Sequence, residues 1–136
     1  MMQRSLVIVF AALFLSWSSY GLANTPTLAN WAFTDQIINS APATELDITS
    51  MEIKDIFVFT SWKDLDIEFY EVEARIYDGE NKLVGYSKYG FKPDKRTWDS
   101  WTRYHFRPGI DQPGEWRFVV SINGQRALEE TIYIEP

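Results

Sequence analysis

The chain has 136 residues, 16% of them aromatic, with no cysteine, one histidine and a formal net charge of −6. Without cysteine there is no disulfide scaffold, no thiol nucleophile and no cysteine-ligated metal, and one histidine cannot build a multi-histidine site. The aromatic content is too high for a disordered chain, and the acidity opposes a general nucleic-acid binder, which needs a basic face.

Residues 1–23 read as a targeting segment rather than part of the fold. Arg4 is the only charge before Asp35, an apolar run follows from Leu6 to Leu15, and small residues close the segment at Gly21-Leu22-Ala23. A positive start, a short apolar stretch and a small-residue exit describe a secretory signal peptide, cleaved after Ala23. The alternative is a retained anchor, because Ser5 to Ala23 carries no charge and is just long enough to cross a bilayer. The strongly apolar part is only about ten residues, the length of a signal core, and this favours cleavage. Losing Arg4 takes the net charge from −6 to −7. The expected location is the periplasm or the exterior, with no membrane span after cleavage.

Asn24 to Asn30, with Thr25-Pro26-Thr27, reads as a short leader, and residues 31–136 as one domain. Trp31 to Ile38 is a first strand. Residues 42–54 are a long connection, or a short strand around Leu46 and Ile48. Ile56-Phe57-Val58-Phe59-Thr60 is a continuous run of strand formers. Leu65, Ile67 and Phe69 are apolar at odd positions, then Tyr70, Val72, Ala74 and Ile76 at even ones. One strand cannot switch faces that way, so a bulge or a short connection is expected at Phe69-Tyr70. Asp78-Gly79 turns the chain and Leu83 to Tyr89 returns it. Thr102, Tyr104 and Phe106 form the apolar side of the next strand, and Trp116, Phe118 and Val120 that of its successor. If the Arg107–Glu115 connection is a hairpin, Arg117 faces His105 and Glu115 faces Arg107. Asn123-Gly124 marks a final hairpin. A bulged loop pairing Ser121 with Gln125 would set Phe118 opposite Leu128 and keep Ile132 and Ile134 on the face of Trp116.

About seven short strands with frequent turns predict an all-β fold. The expected form is a two-sheet antiparallel sandwich, immunoglobulin-like or fibronectin-III-like; an eight-stranded closed barrel is the alternative. Trp31-Ala32-Phe33-Thr34, Phe57-Val58-Phe59-Thr60 with Leu65, and Pro113-Gly114-Glu115-Trp116-Arg117-Phe118-Val119-Val120 with Leu128 carry a resemblance. In these motifs the chain resembles an uncharacterised bacterial family of exported single β-domain proteins. That family's His-x-Trp in the middle strand has no counterpart in Val72-Glu73-Ala74-Arg75-Ile76. The resemblance therefore implies an exported β-domain and supplies no chemistry.

Four groups of side chains are candidates for chemistry. Arg103, His105 and Arg107 share one strand face and could hold an anion or an acidic partner; without a nearby Ser and acid pair, His105 is a poor catalytic base. Asp64-x-Asp66-x-Glu68 offers oxygen ligands to a hard cation, but fits equally an exposed, charge-protected segment. Glu71 and Glu73, two apart on an outward face, cannot straddle a bond as glycosidase carboxylates must. Trp98, Trp101 and Trp62 sit in or beside loops and are the leading binding residues, since an exposed indole with polar groups at its rim suits sugar stacking. The expected function is a non-catalytic binding or interaction domain of the cell envelope, for a protein partner or a glycan, with no cofactor and no metal. The alternative is a structural accessory domain. Joint exposure of the three indoles favours a glycan, a continuous apolar face a partner protein, and joint burial the structural reading.

Overall fold

The structure is a computed structural model and describes residues 25–136. The expected signal segment lies outside the described residues. The alternating sequences form strands, named in chain order β1 (Thr27–Thr34), β2 (Ile37–Ile38), β3 (Ala41–Pro42), β4 (Ile48–Ser50), β5 (Asp55–Lys63), β6 (Tyr70–Tyr77), β7 (Leu83–Phe91), β8 (Trp98–His105), β9 (Gly114–Ile122) and β10 (Gln125–Glu135). Seven of these are long, as expected; β2, β3 and β4 are two or three residues each.

Two sheets make the sandwich. The smaller runs β1-β5-β8 and the larger β4-β10-β9-β6-β7, while β2 and β3 form a separate small hairpin. Every pairing is antiparallel except β4 with β10, which is parallel. The period-2 side chains of both sheets meet between them. Ile56, Val58 and Trp62 of β5 and Tyr104 of β8 face Val72 and Ile76 of β6, Trp116 and Phe118 of β9, and Ile132 and Ile134 of β10. Trp116 is fully buried; its ring lies edge-on to Tyr104 and Phe106, and its indole N–H donates to the Gln112 carbonyl at 2.7 Å. Such burial stabilises by roughly 1.5–3 kcal/mol per large side chain.

Three sequence expectations change. First, β1 begins at Thr27, so the end of the expected leader is already strand, pairing Thr27 with Lys63 and Leu28 with Trp62. Second, β8 and β9 are not a hairpin. They lie in different sheets, and Arg107–Pro113 is the crossover between them. His105 consequently faces Asp55 of β5, not Arg117. Third, the last hairpin has a two-residue turn pairing Ile122 with Gln125, with Asn123 and Gly124 at φ 48° and 80°. Its bulge comes later, between Arg126 and Leu128, so Phe118 faces Glu130. The extra residue restores the parity, and Ile132, paired with Trp116, and Ile134 are both buried. The face switch at Phe69-Tyr70 is the connection between β5 and β6. Leu65 is buried there, while Ile67 and Phe69 are exposed.

Candidate binding site

Strand β8 alternates cleanly. Ser100, Thr102 and Tyr104 point into the sandwich, whereas Asp99, Trp101, Arg103 and His105 point outward. The register across to β5 fixes their neighbours: Trp101 is opposite Phe59, Arg103 opposite Phe57, and His105 opposite Asp55. Phe59 is buried on this outward face, flanked in register by Ala32 of β1 and Trp101 of β8.

The three candidate indoles therefore have three different fates. Trp62 is fully buried and donates its N–H to Ser100 Oγ at 3.1 Å, while Thr60 Oγ1 lies 2.8 Å from the same hydroxyl. That corrects its reading as a surface ligand residue: its parity on β5 is inward, and its indole nitrogen is satisfied by Ser100. Trp98 is half-buried, pairs with Trp62 across the strands, and stacks on Phe91 at 4.9 Å with planes 3° apart. Trp101 alone is exposed, at 38%. Neither joint exposure nor joint burial of the three indoles occurs.

Trp98 and Trp101 nonetheless line one cleft, of about 440 Å³, with Ser40, Asp94, Lys95, Thr97 and Asp99. Three segments build it. The loop from β7 to β8 supplies Asp94, Lys95 and Thr97. Strand β8 supplies the indoles and Asp99. The β2–β3 hairpin brings Ser40 at its tip, where Asn39 and Ser40 both take positive φ, 53° and 58°, as a tight two-residue hairpin requires. Ser40 was not legible as a site residue, since no glycine marks the turn. Asp99 is anchored by Ser61 Oγ at 2.8 Å. Asp94, Lys95 and Thr97 are exposed.

Arg103 and His105 lie on the same outward strand face but take part in a different cluster. Asp55 Oδ1 is 2.9 Å from His105 Nδ1 and 3.9 Å from Arg103 Nε. Arg107 leaves this face altogether. Its guanidinium and backbone N–H donate to Asp111, whose carboxylate is buried and also accepts the Tyr104 hydroxyl at 2.8 Å. Burial first, and the bond to Asp111 second, push the Tyr104 phenol up to about 12. The cluster closes the β8-to-β9 crossover. Asp64, Asp66 and Glu68 fall in the β5–β6 connection, where Asp66 faces Arg96 at 3.9 Å. Among the described residues no group of His, Cys, Asp or Glu is arranged to hold a metal ion, and no helix is long and apolar enough to cross a membrane.

No family model matches the sequence, and no curated protein does. Solved structures do match in fold. An immunoglobulin-like protein from Pseudomonas aeruginosa is 11% identical with a TM-score of 0.58, over 83% of this chain and 99% of that one. An alkylpurine DNA glycosylase, AlkC, from Pseudomonas fluorescens, solved bound to DNA containing an abasic site analog, is 11% identical with a TM-score of 0.54, over 82% of this chain. This chain spans only 30% of that glycosylase's length. At such identities the likeness is one of architecture, and the fold is an immunoglobulin-like β-sandwich.

Proposed function

We propose that the chain is an exported, non-catalytic binding domain whose contact site is the cleft beside Trp101, and that its ligand is a saccharide unit of an envelope glycan. The cleft is the observation that supports this. Its 440 Å³ volume lies within the range of small-ligand pockets, roughly 300–1,000 Å³. The exposed indole offers a flat apolar surface to the C–H face of a sugar ring. Asp94 and Asp99 can accept hydroxyl protons, and Lys95, Ser40 and Thr97 can donate. Two carboxylates against one ammonium suit a neutral ligand better than a polyanion. The same acidity argues against transferring the DNA contact of the glycosylase to this chain. Export rests on the signal-like segment before Asn24.

A partner protein is the second reading, favoured by the Asp55–Arg103–His105 cluster and its exposed ion pairs along the same strand face.

Affinity electrophoresis through gels cast with neutral polysaccharides, and pull-down on purified cell-wall glycan, test the proposal. Retention that Trp101→Ala weakens tenfold or more supports it, with roughly 1.4 kcal/mol lost from one anchor. Retention unchanged by Trp101→Ala removes the cleft as the site. A captured species sensitive to protease and insensitive to Trp101→Ala favours the partner-protein reading.

A further inference from the structure

The chain enters the sandwich at one end. Thr27, the first residue of β1, pairs with Lys63, the last of β5, and Trp62 beside it pairs with Trp98, the first of β8. The loops 64–69 and 92–97 therefore lie at this same end. They are joined by the Leu65 N–H, which donates to the Arg96 carbonyl at 3.1 Å. Loop 64–69 holds the two most exposed large apolar side chains among the described residues, Ile67 at 68% and Phe69 at 64%. The Phe69 ring is seated on Gly90 of β7, where a Cβ would collide with it, so it is held at the surface rather than folded into the core.

The charge of this end differs from that of the rest of the domain. Across 63–69 and 92–97, Lys63, Lys92, Lys95 and Arg96 balance Asp64, Asp66, Glu68 and Asp94, so the whole −7 of residues 24–136 lies elsewhere. The four cations are exposed, and Arg96 meets Asp66 only at 3.9 Å. A neutral end with two bare apolar side chains is the part of an acidic domain that can approach a phospholipid surface, its long cationic side chains reaching the phosphates.

The start of the chain says what lies beyond this end. β1 begins at Thr27, so only Asn24, Thr25 and Pro26 separate Ala23 from the sheet, a span of about 10 Å at most. Whenever the uncharged segment 5–23 lies in a bilayer, during export on the cleavage reading and permanently on the anchor reading, this end is held at the lipid surface. We infer that it is a membrane-contact surface for zwitterionic phospholipid, with Ile67 and Phe69 entering the interfacial layer and the four cations at the headgroups. Two side chains alone give a weak, reversible hold. Stable attachment takes a second signal, and the segment entering at the same end is one. The loop then fixes which end of the domain faces the bilayer.

Because the chain has no cysteine, one introduced thiol can carry one fluorophore. Phe69→Cys places it at the proposed contact, and Ile67→Cys repeats the measurement without disturbing the ring on Gly90. Ile110→Cys is the control: it is 62% exposed and lies in the Arg107–Pro113 crossover, at the opposite end. The full chain, residues 1–136, is reconstituted in phosphatidylcholine vesicles whose lipids carry a quencher just below the headgroup. The labels at 67 and 69 should be quenched roughly tenfold more strongly than the label at 110, as expected for side chains seated in the interface. Equal quenching at both ends overturns the orientation. No quenching at 67 or 69 in chains that float with the vesicles overturns the contact and leaves the loop to a partner protein. A full chain that does not float overturns the proposal as well. Quenching that appears only once anionic phosphatidylglycerol is added assigns the contact to the cations and overturns insertion of the apolar pair.

Discussion

The two sheets of the sandwich present very different outer faces. On the larger sheet, charge neutralises charge: Glu71 pairs with Lys88, Glu73 with Arg75 and the Tyr86 hydroxyl, and Arg117 with Glu129 and Asn81. Arg117 also lies 4.0 Å from the ring centre of Tyr77. Each such exposed pair contributes little, about 0–1 kcal/mol, and a ladder of them describes a solvated surface. On the smaller sheet, Phe57 and Phe59 point outward, the β2–β3 hairpin reaches its side of the cleft, and Trp101 is left partly uncovered. The difference locates candidate function. A face whose polar groups already satisfy one another has little left to offer a ligand, whereas an exposed indole beside the exposed side chains of Asp94, Lys95 and Thr97 does.

If that contrast holds, substitutions should rank by their distance from the layer the two sheets share. Trp116→Ala should be the most damaging, at about 3–5 kcal/mol in urea unfolding, because it empties a fully buried site that orders Tyr104 and Phe106. Total stability is of order 5–15 kcal/mol, so this variant should be close to unfolding at 37 °C. A cost below about 1 kcal/mol would mean that the larger sheet does not close the core.

Asp111→Ala comes next, at about 2–3 kcal/mol, since it strands the buried Tyr104 hydroxyl and frees the crossover that Arg107 pins. The same cluster gives a pH dependence. Tyr104 has a folded-state pKa of about 12, raised above its ordinary 10. Its contribution is fully present below pH 10 and is lost as pH rises through the folded value. Stability should therefore fall between about pH 10 and 12, and Tyr104→Phe should flatten that part of the pH–stability curve. An identical alkaline loss in Tyr104→Phe would assign the titration to other tyrosines.

What the sequence reveals of this arrangement follows from how far each signal reaches. Alternation is local, so β5 to β10 and the inward set Tyr104, Phe106, Trp116 and Phe118 were legible. Alternation says nothing about which strand lies beside which. A hairpin and a crossover look alike between Phe106 and Trp116, and so the sequence points His105 at Arg117 where the structure sets it against Asp55. The Arg107–Asp111 clasp that reveals the crossover is a contact across four residues with no distinctive motif. The cleft was half legible: Trp98 and Trp101 stand out in a loop-to-strand transition, whereas Ser40 arrives from a hairpin of two-residue strands, too short to show a period. Trp62 reads as a surface residue from its loop-side position, whereas its parity with Ile56 and Val58 points inward.

Trp98 and Trp101 sharpen the comparison because they share the cleft but not the same side of the strand. Sequence position makes them look alike. Their side chains separate them. Trp98 stacks on Phe91 and packs against the core, so Trp98→Ala should cost about 2 kcal/mol, roughly half the loss of a fully buried tryptophan. Trp101 faces outward, and its removal should cost less than about 1 kcal/mol, within the usual range for surface changes plus some uncovering of Phe59. Thermal unfolding of the two single variants, side by side with glycan retention, is the measurement. Trp98→Ala should lower the melting temperature by several degrees, while Trp101→Ala should shift it by a few degrees at most and still lose retention. Equal destabilisation by both would place Trp101 in the structural layer, and the smaller sheet's outer face would then be as self-satisfied as the larger one's.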